Sequence, residues 1–292
     1  MKELAKHPGL SKTNPVNIHV FETVKLKYPF HYHPNEYELT LTLGSRGIRM
    51  VGDNITYFND SDLTLIGPGV PHCWINNFPD DSNFPETIRV IVIHFNKYLI
   101  GKELIDRPEF YNIKQLLKAS ERGLAFPSTI NDHVSSKILN LKLELDFNTF
   151  INLLEIFNLL GESKQYEILS SSQYQYKGKH KEQINFEKVF EYIQNNYTEK
   201  IKISKVASLI NMHDSAFSHY FKKRTSKSFT DFVNEMRLNY ALNQLLFSSR
   251  SIAEICFDSG FNNLSNFNRI FKKWKGTTPL QWKKKYLKIV NQ

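Results

Sequence analysis

Two histidines one residue apart, His31 and His33, are followed five positions later by Glu38, and His72 comes after the turn-rich stretch LIGPGVP. Neutral imidazoles and a carboxylate are ligands for Zn, Fe, Mn or Ni, and such a set can leave a coordination position open for substrate. The same side chains can instead line a polar pocket, hydrogen-bond strand backbones, or hold the hydroxyls or carboxylate of a small molecule. Tyr37, Arg49 and Trp74 belong to the same stretch and could add polar contacts and a stacking surface. The choice between these chemistries depends on the elements that position the residues.

Residues 15–95 read as strands. NIHVFETVKL, YELTLTL, GIRMVG, NITYF, DLTLIG and TIRVIVIHF are short, β-branched or aromatic, and often alternate, with Gly, Asn and Asp turns between them. Many short strands at regular spacing predict a β-sandwich or barrel. From 103 to 165 the period becomes helical. Ile138, Leu141, Leu145, Phe150, Leu153, Leu154, Phe157 and Leu160 form a possible stripe with a break near Asn148. Such a stripe suits packing against the barrel or a seam between two chains. SSSQYQYKGKHKEQ, residues 170–183, has no large aliphatic residue and reads as a linker. Residues 184–289 read as helical.

The chain has 292 residues, enough for two domains. No apolar run approaches the ~20 residues of a membrane span, and the first residues resemble neither a signal nor a transit peptide. Cys73 and Cys256 lie far apart without metal-type spacing, which suggests a reducing cytoplasm. The net charge of +9 is unevenly spread. Residues 1–170 hold 17 Lys+Arg against 20 Asp+Glu, whereas residues 171–292 hold 21 against 9. An excess confined to the last part points to an acidic partner, nucleic acid or an anionic surface.

That part contains a repeat at an offset of 50. FSHYFKKRTSKSFTDFV begins at Phe217 and FNRIFKKWKGTTPLQWK at Phe267, so Phe217 matches Phe267, Phe221 matches Phe271 and Phe232 matches Trp282. Each copy parses as helix, tight turn, helix, with Ser251 as an N-cap and Gly260 as a turn in the second. The apolar face of the second copy holds Phe267, Ile270, Phe271 and Trp274. Its outer face presents Ser265, Asn268, Arg269 and Lys272, after Asn263 and Leu264 at the helix start. The first copy presents Ser215, Ser218, His219 and Lys222. Arginine pairs with guanine, asparagine with adenine, and lysines meet phosphate, so these ten residues are the candidate DNA contacts.

IAEICFDSGFNNLSNFNRIFKKWKGTTPLQWKK, residues 252–284, resembles the AraC/XylS family of bacterial transcription regulators. The residues that fit its pattern are Ile252, Ala253, Gly260, Phe261, Ser265, Phe267, Arg269, Phe271, Lys272, Gly276, Pro279 and Trp282. The likeness extends through the first copy, over about 184–288. Departures are Cys256 for a small residue, Asn266 for an aromatic, His219 and Lys283 for arginines, and Thr225-Ser226 for the first copy's turn glycine. The resemblance implies two helix-turn-helix units joined by one long helix, for which residues 229–249 are suited.

His31, His33, Glu38 and His72 in turn resemble the ligand set of the cupin barrel, although Pro68-Gly69-Val70-Pro71-His72 followed by Asn76 is one residue short between Pro and Gly. Such barrels in front of AraC-type domains mostly sense small molecules and pair chains. The expected fold is therefore α+β. It has a cupin- or jelly-roll-like barrel at 1–100, a helical and possibly dimerising segment at 101–169, a linker at 170–183, and an all-α double helix-turn-helix domain at 184–292.

The expected function is regulation of transcription by a cytoplasmic homodimer, not catalysis. Its partners would be double-stranded DNA, a small-molecule effector such as a carbohydrate, and RNA polymerase, with no membrane. His31, His33, Glu38, Arg49, His72 and Trp74 are the candidate effector contacts. No cofactor is expected, and a metal, if held, would take His31, His33, Glu38 and His72. Two rival readings remain: a metal-dependent cupin enzyme fused to a DNA-binding domain, and a dimeric regulator that needs no ligand.

Overall fold

Strict alternation along Glu36–Leu43 divides the N-terminal region into layers: Glu38, Thr40 and Thr42 point one way, Leu39, Leu41 and Leu43 the other. The computed structural model describes residues 10–24, 26, 30–76, 87–172, 174 and 180–290. Its strands are β1 (Val16–Thr23), β2 (Glu36–Leu43), β3 (Gly47–Val51), β4 (Asn54–Phe58), β5 (Asp62–Ile66), β6 (His72–Ile75), β7 (Ile88–Asn96), β8 (Leu124–Phe126) and β9 (Glu167–Ile168). A six-stranded antiparallel sheet has the order β1-β7-β2-β5-β8-β9, and a three-stranded one the order β4-β3-β6.

The sheets face each other across a core of Val51, Phe58 and Trp74 from the small sheet and Ile66, Ile88, Val90 and Val92 from the large one. The α+β class expected from the sequence holds. Among the described residues the strands form an open sandwich and are not closed into a barrel.

The other face of the large sheet, with Leu39, Leu41, Leu65, Ile91, Ile93 and Phe95, is covered by helices. These are the short α1 (Lys102–Ile105), then α2 (Tyr111–Ala119), α3 (Ser128–Leu139) and α4 (Phe147–Ser163). The helical stripe is interrupted earlier than expected, over residues 140–146, and Asp146 restarts the helix by accepting a hydrogen bond from the Thr149 amide at 2.7 Å. Leu153, Phe157 and Leu160 are buried against the sheet, while Leu139, Leu143, Leu145, Phe147 and Ile151 are exposed.

The stretch read as a linker begins as an anchored segment. Ser171 donates to the Asp53 carboxylate from its amide (2.9 Å) and its hydroxyl (2.6 Å), and the Arg122 guanidinium holds the Ser170 carbonyl. Residues 173 and 175–179 of that stretch lie outside the described residues, and helix α5 (His180–Asn196) opens within it. There follow α6 (Ile203–Ser208), α7 (Asp214–Thr225), α8 (Phe229–Phe247), α9 (Ile252–Asp258), α10 (Leu264–Lys275) and α11 (Pro279–Val290). Among the described residues no helix is long and apolar enough to cross a membrane.

The outer face of the small sheet is as apolar as its inner one, and α8 packs on its β3 and β4 while α5 meets Phe30 beside it. Phe30, Ile48, Met50, Ile55, Cys73 and Ile75 share one core with Phe186, Phe190, Phe217, Phe221, Phe232 and Met236. Asn243 of α8 also donates to the Tyr57 hydroxyl of β4 at 2.6 Å.

Candidate DNA interface and histidine cluster

Helices α6–α7 and α9–α10 are the two halves of the repeat. In each recognition helix two phenylalanines one turn apart, Phe217 and Phe221 in α7, Phe267 and Phe271 in α10, are fully buried. Helical geometry then turns the intervening residues outward. Ser215, Ser218, His219 and Lys222 on α7 are exposed, as are Asn263, Ser265, Arg269 and Lys272 at α10; Leu264 and Asn268 are half-buried. Lys223 and Lys273 are exposed beside Lys222 and Lys272. Arg224 instead turns inward, 5.5 Å from the Tyr220 ring centroid.

Several of these residues also hold their own helix. The Asn263 side chain accepts from the Asn266 amide at 2.9 Å and caps α10, and Leu264 packs on the second unit's core. The Ser218 hydroxyl donates to the Asp214 carbonyl at 2.8 Å, and Arg269 donates to the Asn266 side-chain oxygen at 2.9 Å.

The turns before and after the recognition helices follow the repeat. Both helices end on a left-handed residue, Ser226 (φ 57°) and Gly276 (φ 75°), 50 positions apart. Ser228 and Thr278 then cap the following helices. Gly260, in the turn of the second unit, has φ 87°, and a Cβ there would stand 2.6 Å from the Thr198 carbonyl oxygen. Only glycine combines that conformation with that approach.

Long helix α8 joins the units. Its Leu238, Ala241, Leu242 and Leu245 belong to the second core, and Phe232, Val233 and Met236 to the first. Arg237 donates to the carbonyls of Tyr197 and Glu199, each at 2.6 Å, which closes the end of α5. Its guanidinium also lies 5.8 Å from the Phe261 ring centroid. Burial lowers the Arg237 pKa from its ordinary value.

Four histidines of the N-terminal region converge in the sandwich. Ligand atoms of His31, His33, Glu38 and His72 all lie within 4.8 Å of one another. Glu38 Oε2 is 3.1 Å from His33 Nε2, 3.1 Å from His72 Nε2, 3.0 Å from His94 Nε2 and 4.0 Å from His31 Nε2. The other oxygen, Oε1, accepts from the Thr40 hydroxyl at 2.7 Å. Burial alone would push the Glu38 carboxyl up, but the charge of His72 and hydrogen bonds from His33, His72 and His94 hold it well below the usual carboxylate range. His31 and His72 are also backbone partners, through bonds of 3.1 and 2.8 Å, which ties the first histidine to the end of β6.

The donor set fits a metal. Imidazole nitrogens and a carboxylate oxygen suit a divalent first-row ion, and their mutual distances are those of neighbouring ligands. His31, His33, Glu38 and His72 would hold it, and such an ion supplies Lewis acidity when bound.

The remaining candidates occupy separate places. Arg49 is buried inside the sandwich, where it bonds Asp62 and lies 3.5 Å from the Thr56 hydroxyl. Trp74 Nε1 donates to the same Asp62 at 3.1 Å, and the Trp74 ring meets that of His72 at 5.5 Å. Asp62 thus joins two predicted residues, although nothing in its sequence neighbourhood marks it. Tyr37 lies on the opposite face of β2 from Glu38, stacked on Phe95 at 5.1 Å beside a surface cavity of about 210 Å³. A second cavity of about 310 Å³ lies between the outer faces of β1 and β7 and residues 138–143.

Comparison with known proteins bears on the C-terminal part. A family model described as a helix-turn-helix domain matches residues 206–285. An uncharacterised HTH-type transcriptional regulator encoded in the cgkA 5′ region of Pseudoalteromonas carrageenovora is 35% identical over 95 residues, covering 32% of this chain and 56% of that protein. The uncharacterised HTH-type transcriptional regulator YobQ of Bacillus subtilis (strain 168) is 33% identical over 88 residues, covering 30% of this chain and 36% of its own length. The chain thus spans about half or less of these relatives. ToxT from Vibrio cholerae aligns over 92% of this chain and 98% of its own, at 15% identity and a TM-score of 0.35. The C-terminal part of this chain is a helix-turn-helix DNA-binding domain of the AraC type.

Proposed function

We propose that the protein is a sequence-specific regulator of transcription, in which the sandwich binds an effector and both recognition helices contact duplex DNA. The observation that carries this reading is the core shared by the small sheet and the first helix-turn-helix unit. A change that moves β3 bears on α8, which packs on it and carries part of the first unit's core, because packed cores adjust by discrete shifts rather than by yielding continuously. An effector needs a preference of only ~1–3 kcal/mol for one arrangement to act as a switch.

In this reading Arg269 and Asn268 on α10 and His219, Ser215 and Ser218 on α7 face bases, while Lys222 and Lys272 meet phosphate. Asn263 and Leu264 set the start of α10 at the groove. Two chains pair through Leu139, Leu143, Leu145, Phe147 and Ile151, which are exposed around the α3–α4 turn. The effector is a small molecule, a carbohydrate by family resemblance, held near Arg49, Trp74 and the histidines. RNA polymerase is a further partner, and the protein acts without catalysis in the cytoplasm.

The test is selection of bound fragments from sheared genomic DNA, followed by titration of the enriched duplex. A shared motif, bound with a Kd of about 10⁻⁸–10⁻¹¹ M and a steep salt dependence, is expected. Binding no better than to random duplex at physiological salt would sink the reading. Enriched sites near promoters would also name the genes whose products point to the effector.

A further inference from the structure

One residue of the histidine cluster belongs to neither the HxH motif nor the loop before His72. His94 lies in the apolar run RVIVIHF, and only strand pairing reveals its place: in the β2–β7 register it stands directly opposite Glu38. It is 6% exposed, its Nε2 is 3.0 Å from Glu38 Oε2, and its ring centroid is 4.5 Å from that of His33.

Three imidazole nitrogens within 3.0–3.1 Å of one carboxylate oxygen exceed what hydrogen bonding accommodates well. That oxygen has two lone pairs. His72 is fixed by its backbone: its Nδ1 lies 2.8 Å from the Val70 carbonyl oxygen, which turns Nε2 toward Glu38. A cation among these atoms gives each of them a partner. Donors with bonds of ~2.0–2.2 Å to one ion stand roughly 3.0–3.4 Å apart when adjacent, which matches the separations around Glu38 Oε2.

We propose that His94 is a ligand to a divalent transition-metal ion, completing a five-donor centre with His31, His33, Glu38 and His72. Catalytic sites keep positions open for water or substrate, whereas closed sites retain the ion. A protein donor set larger than the three ligands usual in a catalytic site retains its ion, so this centre holds it as a bound signal or a brace. The role as a signal rests on the sandwich being the sensing part of a regulator. His72 connects the ion to that part, because the next residue of β6, Cys73, is in the core shared with α5, α7 and α8.

The experiment is titration of untagged, chelator-treated full-length protein with Co(II), followed by absorption spectroscopy and by competition with Zn(II). One ion per chain is expected. Loss of a second-shell partner weakens metal sites about 10–100-fold, so His94→Ala and His94→Gln should weaken binding by at least ~100-fold and change the d–d spectrum. Wild-type protein that binds neither ion would overturn the proposal, as would His94 variants with the wild-type spectrum. Should both variants fail to fold, X-ray absorption of the Zn-loaded wild type counts the imidazoles: four support the centre and three refute it. DNA binding of the same preparations is measured in parallel. Metal-free protein that binds its motif as tightly as the loaded protein removes only the ion's role as a signal, and loss of DNA specificity in metal-loaded protein removes only the regulatory reading.

Discussion

The two helix-turn-helix units share a framework and differ in what surrounds it. At an offset of 50, Phe217 and Phe221 repeat as Phe267 and Phe271, and Ser228 repeats as Thr278 at the next helix cap. Yet the second unit's core draws on α8 and α11, while the first shares its core with Ile48, Met50, Cys73 and Ile75 of the sandwich. The second recognition helix is capped by Asn263 and ends on Gly276; the first starts at His213 without a side-chain cap and ends on Ser226. Two copies of one scaffold can therefore serve different ends. The second builds its core within the helical part, and the first builds its core into the outer face of the sandwich.

The largest effects should come from emptying the two cores. Phe221→Ala and Phe271→Ala should each lower stability by about 3–5 kcal/mol in denaturant titrations. Hydrogen exchange should then separate them: Phe221→Ala should loosen amides in β3 and β6, and Phe271→Ala should leave them protected. Equal loosening by both would break the contrast. Gly260→Ala, which forces a Cβ toward the Thr198 carbonyl at a left-handed position, should lower the melting stability by more than ~1 kcal/mol.

On DNA, Arg269→Ala should weaken the specific site by ~1–3 kcal/mol and relax one base position. Lys272→Ala should instead weaken all sequences alike and flatten the salt slope. An unchanged base preference would move Arg269 to phosphate or solvent. The smallest effect belongs to Ser226→Gly, which gives the first unit the residue that the second already has. It should raise stability by roughly 0.5–1 kcal/mol, measured as a shift in denaturation midpoint.

How far the sequence disclosed this arrangement follows from the range of each signal. Strands β1 to β5 and β7 were legible because alternation and turn residues are local. Strand β6 was not, because His72, Cys73, Trp74 and Ile75 are buried on both faces and show no polar alternation. The helical repeat was legible through phenylalanines at a fixed offset. The interruption between α3 and α4 fell earlier than the apolar stripe suggested, since Leu141 and Leu145 keep the period where the helix has already ended.

Of the histidine cluster, the three members carried by motifs could be read, and His94 could not, because its place depends on the pairing of β2 with β7. The same holds for Asp62, which joins Arg49 and Trp74 only after the sheets are stacked. The core between the small sheet and α8 was also hidden: Ile48, Met50 and Cys73 look like any interior strand residues until the outer face of that sheet is seen to be covered.

The most direct test of the account is hydroxyl-radical footprinting of the full chain on its selected duplex, repeated with His219→Ala and Arg269→Ala. Two protected patches about one helical turn (~34 Å) apart are expected, one blurred by each variant. A single patch, or protection without sequence preference in the wild type, would contradict it.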